Sequence, residues 1–278
     1  MNTAKTFILM AALTGLFLVG GQILGGPQGV KFALVMALGL NFFAYWNSDK
    51  VALRMNRAQE VSEAEAPELH QIVARLADRA GIPKPKVYVV NNPTPNAFAT
   101  GRNPQHAAVA VTTGIMDVLN REELEGVLGH ELAHVKNRDI LISSISAVLA
   151  GALSQLATMA QWSMMFGGRR NSEEGGNGLA TVVMMMIAPL AASMIQMAIS
   201  RSREYIADAD GAHIAGNPRA LASALEKLSG ANIQRPMDVN PASAQMYIVN
   251  PLSRGILAKL FTTHPPMEER IRRLLAMK

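Results

Sequence analysis

The sequence predicts a mainly α-helical protein with a small β-sheet, an α+β fold that carries four transmembrane helices in two hairpins. Three observations support this prediction: an apolar composition, four long uncharged stretches, and two short runs rich in β-branched residues between the second and third stretch. Of the 278 residues, 49% are hydrophobic and 17% are charged, and the mean hydropathy is +0.15. Soluble domains usually carry about 25% charged residues, so part of the chain is expected in lipid.

The first hairpin is predicted from two uncharged stretches near the N-terminus. Residues 6–26 are long enough to cross a hydrocarbon core, which takes about 20 apolar residues. Residues 32–48 follow the turn Gly26–Gly29 and contain Tyr45 and Trp46, aromatic residues suited to a membrane interface. A cleavable signal peptide is the alternative interpretation of the first stretch, but no small-residue cleavage site precedes a polar segment.

The second hairpin is predicted from the uncharged residues 140–168 and 178–200, which flank the short polar loop 169–177. Pro189 lies inside the last stretch, where a proline is tolerated if neighbouring groups satisfy the freed carbonyl. The alternative is a pair of core helices in a large soluble domain. Their length and lack of charge favour membrane spans.

Four spans leave the remaining polar segments on one side of the membrane, where they can form one domain of about 170 residues. The predicted organisation is a hairpin in 1–48, a second hairpin in 140–200, and a catalytic domain made of 49–139 and 201–278. Basic residues lie at the outer ends of the first hairpin, at Lys5, Lys50, Arg54 and Arg57, whereas its turn has only Lys31. The positive-inside rule therefore places the polar domain on the cytoplasmic face of the inner membrane.

The net charge of +5 does not indicate a nucleic-acid partner. Its basic residues are scattered, and no aromatic–basic interleaving or recognition motif accompanies them. Attraction to the anionic head groups of a lipid bilayer explains the excess more simply. No pattern in the sequence assigns an oligomeric state.

Between the hairpins, helical spacing of apolar residues predicts a helix over Pro67–Ala80, which ends at a glycine. The runs Lys86–Val90 and Ala107–Thr112 are rich in β-branched residues and predict strands of a small sheet. The intervening segment Asn91–Gln105 is rich in turn residues and is predicted as a connection.

A second helix of the polar domain is predicted to begin at Asn120, because Glu123 three residues later completes a capping box. This helix carries the run His-Glu-Leu-Ala-His, so His130 and His134 lie one turn apart on the same face and can bind one metal ion. Glu131 lies beside that face and can accept a proton from a water polarised by the metal. Two surface histidines are the alternative, but the flanking residues are apolar.

A catalytic zinc needs a third protein ligand and one open position. The chain has no cysteine, and Asn137 and Ile140 stand where the extended H-E-x-x-H-x-x-G-x-x-H motif requires glycine and histidine. If the second hairpin returns the chain to its starting side, Glu204 is the nearest plausible carboxylate. Asp208 lies one helical turn further and could orient a ligand histidine. A solvated, salt-bridged helix start at Glu204 and Asp208 is the alternative.

The motifs together resemble those of a known family. They are, in order, NAFATG at 96–101, HELAHVKNRD at 130–139, SREYIADADGA at 202–212 and THPP at 263–266, followed by Arg270 and Ile271. This pattern resembles that of the HtpX-type membrane zinc endopeptidases, relatives of the CAAX prenyl protease, and the resemblance covers essentially the whole chain. It implies a zincin-like catalytic domain.

The resemblance also implies roles for individual residues. It implies one Zn²⁺ bound by His130, His134 and Glu204, with Glu131 as general base, Asp208 supporting a ligand, and His264 stabilising an oxyanion. Asn96 and Ala97 fall where the family lines its cleft. The segment carrying Ala107, Val109 and Val111 is similar to the edge strand that pairs with an extended substrate.

The expected function is an endopeptidase that cleaves misfolded or damaged membrane proteins at cytoplasmic sites, with protein or peptide substrates and the bilayer as partners. A protease that processes one defined substrate is an alternative, but four spans are too few to enclose a large chamber. The other alternative is a scaffold or metal sensor without catalysis. Glu131 argues against it, because a structural zinc site has four protein ligands and does not need that carboxylate.

Overall fold

The computed structural model describes residues 2–150, 201–234, 246–249 and 265–277. The described part is mostly helical with one mixed sheet, as predicted. Its helices are α1 (Asn2–Met55), α2 (Pro67–Ala80), α3 (Thr113–Val118), α4 (Arg121–Lys136), α5 (Ile140–Ala150), α6 (Arg201–Ala215), α7 (Pro218–Gln234) and α8 (Met267–Leu275). Its strands are β1 (Ala58–Glu60), β2 (Lys86–Val90), β3 (Ala97–Gly101) and β4 (Ala107–Thr112).

Helix α1 is a hairpin of two helices joined at a kink. Gly25 and Gly26 leave helical geometry there, and Gly26 has a φ of 55°, which glycine adopts without a steric penalty. Pro27 then begins the second helix, where its missing N–H costs nothing. The turn therefore lies at Gly25–Gly26, at the start of the predicted turn Gly26–Gly29, and the second helix continues beyond the uncharged stretch 32–48 to Met55.

Both helices of the hairpin are long and apolar enough to cross a membrane by length and composition. Large apolar side chains face outward from them, among them Phe7, Ile8, Val19, Ile23, Phe32, Val35, Leu38 and Phe42. An apolar surface of this extent favours contact with lipid over contact with water.

The four strands form one sheet in the order β1-β2-β4-β3. Strand β4 pairs parallel with β2 and antiparallel with β3, so it is an interior strand, and β3 lies at one edge. The strands Lys86–Val90 and Ala107–Thr112 are confirmed. Strand β3 lies in Asn91–Gln105, so the prediction of a mere connection there is wrong. Its residues Ala97–Gly101 are all buried and therefore lack the apolar–polar alternation that indicates a half-exposed strand.

The core of the catalytic part lies between the sheet and the helices. Helix α2 has its predicted bounds and ends at Gly81, whose φ is 70°. Its buried face joins one apolar cluster with α4, α6 and α7, which includes Leu76, Leu128, Ala207 and Leu225. The motif helix α4 is therefore surrounded by apolar contacts and held firmly in place.

Helix α5 begins in the stretch predicted as the third span. Its residues Leu141, Ile142, Ile145 and Leu149 pack against Leu9, Met10, Leu13 and Ala44 of the first hairpin. Most of the predicted second hairpin, including the loop 169–177 and Pro189, lies outside the described residues. The number of four spans therefore stays a prediction, as do the domain boundaries.

Candidate metal centre

The capping box predicted at the start of α4 is confirmed. The side chain of Asn120 accepts a hydrogen bond from the Glu123 backbone N–H, and the Glu123 carboxylate accepts one from the Asn120 N–H. The same carboxylate also accepts bonds from Ser223 and Lys227 of α7, at 2.7 Å each. The N-terminus of the motif helix is thus fixed to the neighbouring helix.

Glycines allow α4 and α6 to approach each other at backbone contact. A Cβ atom on Gly211 of α6 would lie 2.6 Å from the backbone N and Cα of His130, and one on Gly129 would lie 2.7 Å from the Gly211 carbonyl oxygen. Larger residues would force the helices apart. This contact allows side chains from the two helices to reach one point.

The structure brings together the three residues predicted to bind the metal. His130 Nε2 lies 3.2 Å from His134 Nε2, and the Glu204 carboxylate lies 3.8 Å from the first nitrogen and 3.6 Å from the second. One ligand atom from each residue lies within 4.8 Å of the others. Glu204 is buried, so the alternative of a solvated helix start is wrong for it.

This geometry fits a single divalent cation. Two imidazole nitrogens on one tetrahedral zinc lie about 3.3 Å apart, given Zn–N bonds of about 2.0–2.1 Å, and the observed separation is 3.2 Å. The charges agree as well. Among the described residues of the site and its immediate supports, four carboxylates (Glu131, Asp139, Glu204, Asp208) outnumber two guanidinium groups (Arg203, Arg270), an arrangement that attracts a cation.

Each histidine has a carboxylate behind it. His130 Nδ1 lies 3.0 Å from Asp208, and His134 Nδ1 lies 3.1 Å from Asp139. A carboxylate at Nδ1 fixes that nitrogen as the protonated one, so the Nε2 lone pair is available to a metal. Asp208 was predicted in this role by its spacing. Asp139 was missed, because it lies beyond the end of α4, where helical spacing gives no indication of its direction.

Two buried arginines support these carboxylates, and no role was predicted for either. Arg270 is 0% exposed and donates two hydrogen bonds to Asp208, at 2.8 and 2.7 Å, with a third to the Ile248 carbonyl at 3.1 Å. It also lies 3.7 Å from Glu204. Arg203 lies 3.7 Å from Asp139. Only the motif comparison had singled out Arg270, and neither residue has a recognisable spacing to the histidines.

The titrating groups are strongly perturbed. Burial raises the pKa of Glu131 to about 7, and Glu204 adds to the shift while His134 opposes it. Burial also lowers the pKa of His130 to about 4, which keeps its ring neutral. Burial would lower the pKa of His134 too, but the hydrogen bond to Asp139 and the charge of Glu204 outweigh it and raise the value to about 9. The carboxylates around His134 create a negative potential, which a bound cation would neutralise.

Edge strand β3 forms one wall of the cleft over these groups. The backbone N–H of Ala99 donates a hydrogen bond to the Glu131 carboxylate. The cleft is also lined by Ile140 and Ser143 of α5 and by residues of the segment 246–249. In that segment, the Ile248 N–H donates to the Ala97 carbonyl at 3.1 Å, and the Val249 carbonyl accepts from the Asn96 side chain at 2.8 Å.

These contacts correct one prediction and leave another untested. The segment with Ala107, Val109 and Val111 is not an edge strand, because both of its edges are occupied by β2 and β3. An extended peptide cannot pair with it, and the edge strand beside the cleft is β3. His264 lies outside the described residues, so its role stays a prediction.

Known proteins match this chain over the part that carries the four motifs. The model of peptidase family M48 matches residues 63–278. The chain belongs to this family. A protease HtpX homolog of Thermodesulfovibrio yellowstonii is 61% identical over 278 residues, covering 100% of this chain and 99% of the relative. One from Persephonella marina is 57% identical over 283 residues, covering 100% of this chain and 98% of the relative.

The fold has a counterpart among solved structures. The crystal structure of Ste24p from S. mikatae matches with a TM-score of 0.56 at 20% identity, covering 98% of this chain and 65% of that one. Membership in family M48 confirms the resemblance noted from the motifs and the prediction of a metalloprotease. With its apolar N-terminal hairpin, the chain is a membrane-associated metalloprotease acting on peptide or protein substrates.

Proposed function

We propose that this metalloprotease is a zinc endopeptidase with one Zn²⁺ per chain, held by His130, His134 and Glu204. The observation that carries the proposal is the convergence of two Nε2 atoms and one carboxylate, with Asp208 and Asp139 behind the imidazoles. When bound, the zinc would supply a Lewis acid at the carbonyl to be cleaved. The three ligands leave one position for water or substrate.

Glu131 is proposed as the general base. Glu131 is 2% exposed, lines the cleft, and has the Ala99 backbone N–H beside its carboxylate. Without a metal, burial raises the pKa of Glu131 to about 7, and a bound cation would lower it, which favours the ionised form that a base needs. In the proposed reaction it takes a proton from the attacking water and later gives it to the amine nitrogen of the broken peptide bond.

Substrate binding is proposed along β3, the edge strand beside the cleft. The Ala97 carbonyl already accepts a hydrogen bond from the Ile248 N–H, so the proposed pairing is near Ala99, which lines the cleft beside Glu131. Pairing through backbone atoms recognises an extended chain with little regard to its sequence. Asn96 would contribute by holding the Val249 carbonyl beside this edge. His264 remains a proposed donor to the oxyanion.

The proposed biological role is the cleavage of misfolded or damaged membrane proteins from the cytoplasmic side of the inner membrane. The apolar hairpin supports the membrane location, the positive residues after it support the orientation, and backbone recognition suits unfolded substrates. A protease for one defined substrate is the second candidate. Lipid is a further proposed partner, and nucleic acid is not.

The decisive experiment compares the purified protein with Glu131→Gln on casein, an unfolded substrate. We expect the parent to cleave and the variant to show no cleavage at equal zinc content, because the amide cannot take the proton. Equal rates would refute the mechanism.

Metal content tests the third ligand separately. Glu204→Ala should lose stoichiometric zinc at neutral pH, whereas Glu226→Ala, on the exposed side of α7, should retain it. Zinc retained at one equivalent by Glu204→Ala would assign the ligand elsewhere.

A further inference from the structure

The position of Trp46 on the second helix of the hairpin indicates where this helix leaves the hydrocarbon core. From Pro27, about 20 residues at about 1.5 Å each cover a hydrocarbon core of about 30 Å, and they end at Trp46. The Trp46 ring packs edge-on against Tyr45, with centroids 5.4 Å apart, and against Phe42 at 6.2 Å. Asp49 and Lys50, the first charged residues after this point, follow within one turn. Trp46 therefore lies where the helix leaves the lipid.

Edge strand β3 connects the catalytic cleft to this depth. At its far end, the Arg102 guanidinium lies 4.8 Å above the Trp46 ring. At its near end, Phe98 packs against Tyr247, whose hydroxyl donates to Asn56 just beyond the end of α1 at 3.0 Å.

Between these two contacts, the length of α1 and the length of β3, each estimated from the rise per residue, agree. From Trp46 to Asn56 the helix rises about 15 Å, and from Phe98 to Arg102 the strand covers about 13 Å. Strand β3 therefore runs beside the extramembrane end of α1 and points at the membrane.

The reacting groups lie close to the membrane end of this strand. The Glu131 carboxylate is bonded to Ala99, which is three residues, or about 10 Å, from Arg102. Helix α5 gives an independent measure. Its first residue, Ile140, lines the cleft, and the next, Leu141, packs in the cluster with Leu9 and Ala44, within the predicted spans.

We propose that this enzyme selects its cleavage position by depth: it cuts a membrane-anchored chain about three to six residues from the point where that chain leaves the lipid. This inference rests on the proposed function and specifies its site of action. The bilayer holds the substrate's exit point at the level of Trp46, and the cleft lies one short extended segment away. Sequence in that segment then matters less than its distance from the membrane and its lack of folded structure.

The test uses the parent enzyme reconstituted in liposomes with two substrates. The first has one transmembrane helix followed by an unstructured tail of varied sequence. The second has 12 additional cleavable residues between the helix and the same tail. Mass spectrometry identifies the bonds cut in each. We expect cuts three to six residues after the helix in both, so that in the second they fall within the insert. Cuts that follow the tail sequence, or that spread evenly along it, would overturn the inference.

Two controls separate this inference from the proposed function. The tail without its helix should be cut at least tenfold more slowly at equal total concentration, and equal rates would also overturn the depth rule. Casein cleavage by the parent, absent in Glu131→Gln, reports catalysis itself. A parent that cuts casein without any depth preference contradicts only the inference, and a parent inactive on every substrate contradicts the function.

The depth of Trp46 is testable directly. In a Trp162→Phe background, which removes the second of two tryptophans, brominated lipids should quench Trp46 most strongly when the bromines lie near the head groups. Strongest quenching from the middle of the bilayer would remove the structural basis of the proposal.

Discussion

Two helix pairs in this protein approach each other closely at glycines, but the polar groups beside the two contacts differ. In the catalytic part, α4 and α6 meet at Gly129 and Gly211, and in the membrane hairpin the two helices meet at Gly21 and Gly29. A Cβ on Gly21 would lie 2.5 Å from the Gly29 carbonyl oxygen, comparable to 2.6 Å from Gly211 to His130. Both contacts bring backbones together, but only the first supports buried charge.

The polar groups near the two contacts explain the difference. Beside the catalytic contact, Arg270 makes two hydrogen bonds with Asp208 and completes a fully buried ionic network. Near the hairpin contact, Asn41 donates to Thr14 at 2.9 Å, and Thr14 donates to the Met10 carbonyl at 2.8 Å, all without charge. Buried charges must be compensated or the fold fails, whereas a neutral link in lipid contributes little. Disrupting each should therefore have effects of very different size.

The largest effect is expected from Arg270→Met. This substitution keeps the approximate length of the side chain and leaves Asp208 buried without its partner, which should cost about 3–5 kcal/mol of stability. Thermal unfolding in detergent, followed by circular dichroism in the Glu131→Gln background to prevent self-digestion, measures it. Arg272→Met is the matched control, because Arg272 is exposed and should change stability by less than about 0.5 kcal/mol. Similar effects of the two would show that the buried network is not a main source of stability.

A smaller effect is expected from Gly211→Ala. The added methyl group overlaps the His130 backbone, and separating α4 from α6 should cost about 1–3 kcal/mol and weaken zinc binding. The matched control is Gly230→Ala in α7, where a Cβ meets nothing within 4 Å and alanine should stabilise the helix by about 0.5–1 kcal/mol. Opposite signs for the two variants, measured by the same unfolding assay, are the expected result. A Gly211→Ala protein as stable and as rich in zinc as the parent would refute the close-contact account.

Part of the metal site on α4 could be predicted because the sequence patterns that indicate it are local. The spacing of His130 and His134 follows from helix geometry, and the capping box at Asn120 indicates where that helix begins. Glu204 lies 70 residues beyond His134 in the chain, so its prediction depended on the return of a predicted hairpin and on motif resemblance. Nothing local indicates that Arg270 contacts Asp208, since their 62-residue separation is closed only by tertiary packing.

The sheet shows the same limit. Strands β2 and β4 have β-branched residues and were predicted with their correct bounds. Apart from Phe98, strand β3 consists of small residues, it is buried throughout, and it lies in a segment rich in turn residues. The family resemblance assigned the edge to the segment that forms β4, and the pairing of β3 with β4 places the edge one strand further. Strand order depends on pairings between distant segments, which local propensity does not encode.

The smallest effect is expected from Asn41→Leu in the hairpin. The substitution removes the interhelical hydrogen bond to Thr14 but leaves the Thr14 hydroxyl bonded to the Met10 carbonyl, so no polar group loses all of its partners. Hydrogen bonds between membrane helices average about 0.6 kcal/mol, and a loss of that size is expected in SDS-induced unfolding. Asn47→Leu is the control, because Asn47 bonds only within its own helix turn, to the Phe43 carbonyl. A loss from Asn41→Leu as large as that from Arg270→Met would show that the neutral link supports the fold as strongly as the buried charges do, and the contrast between the two helix pairs would no longer hold.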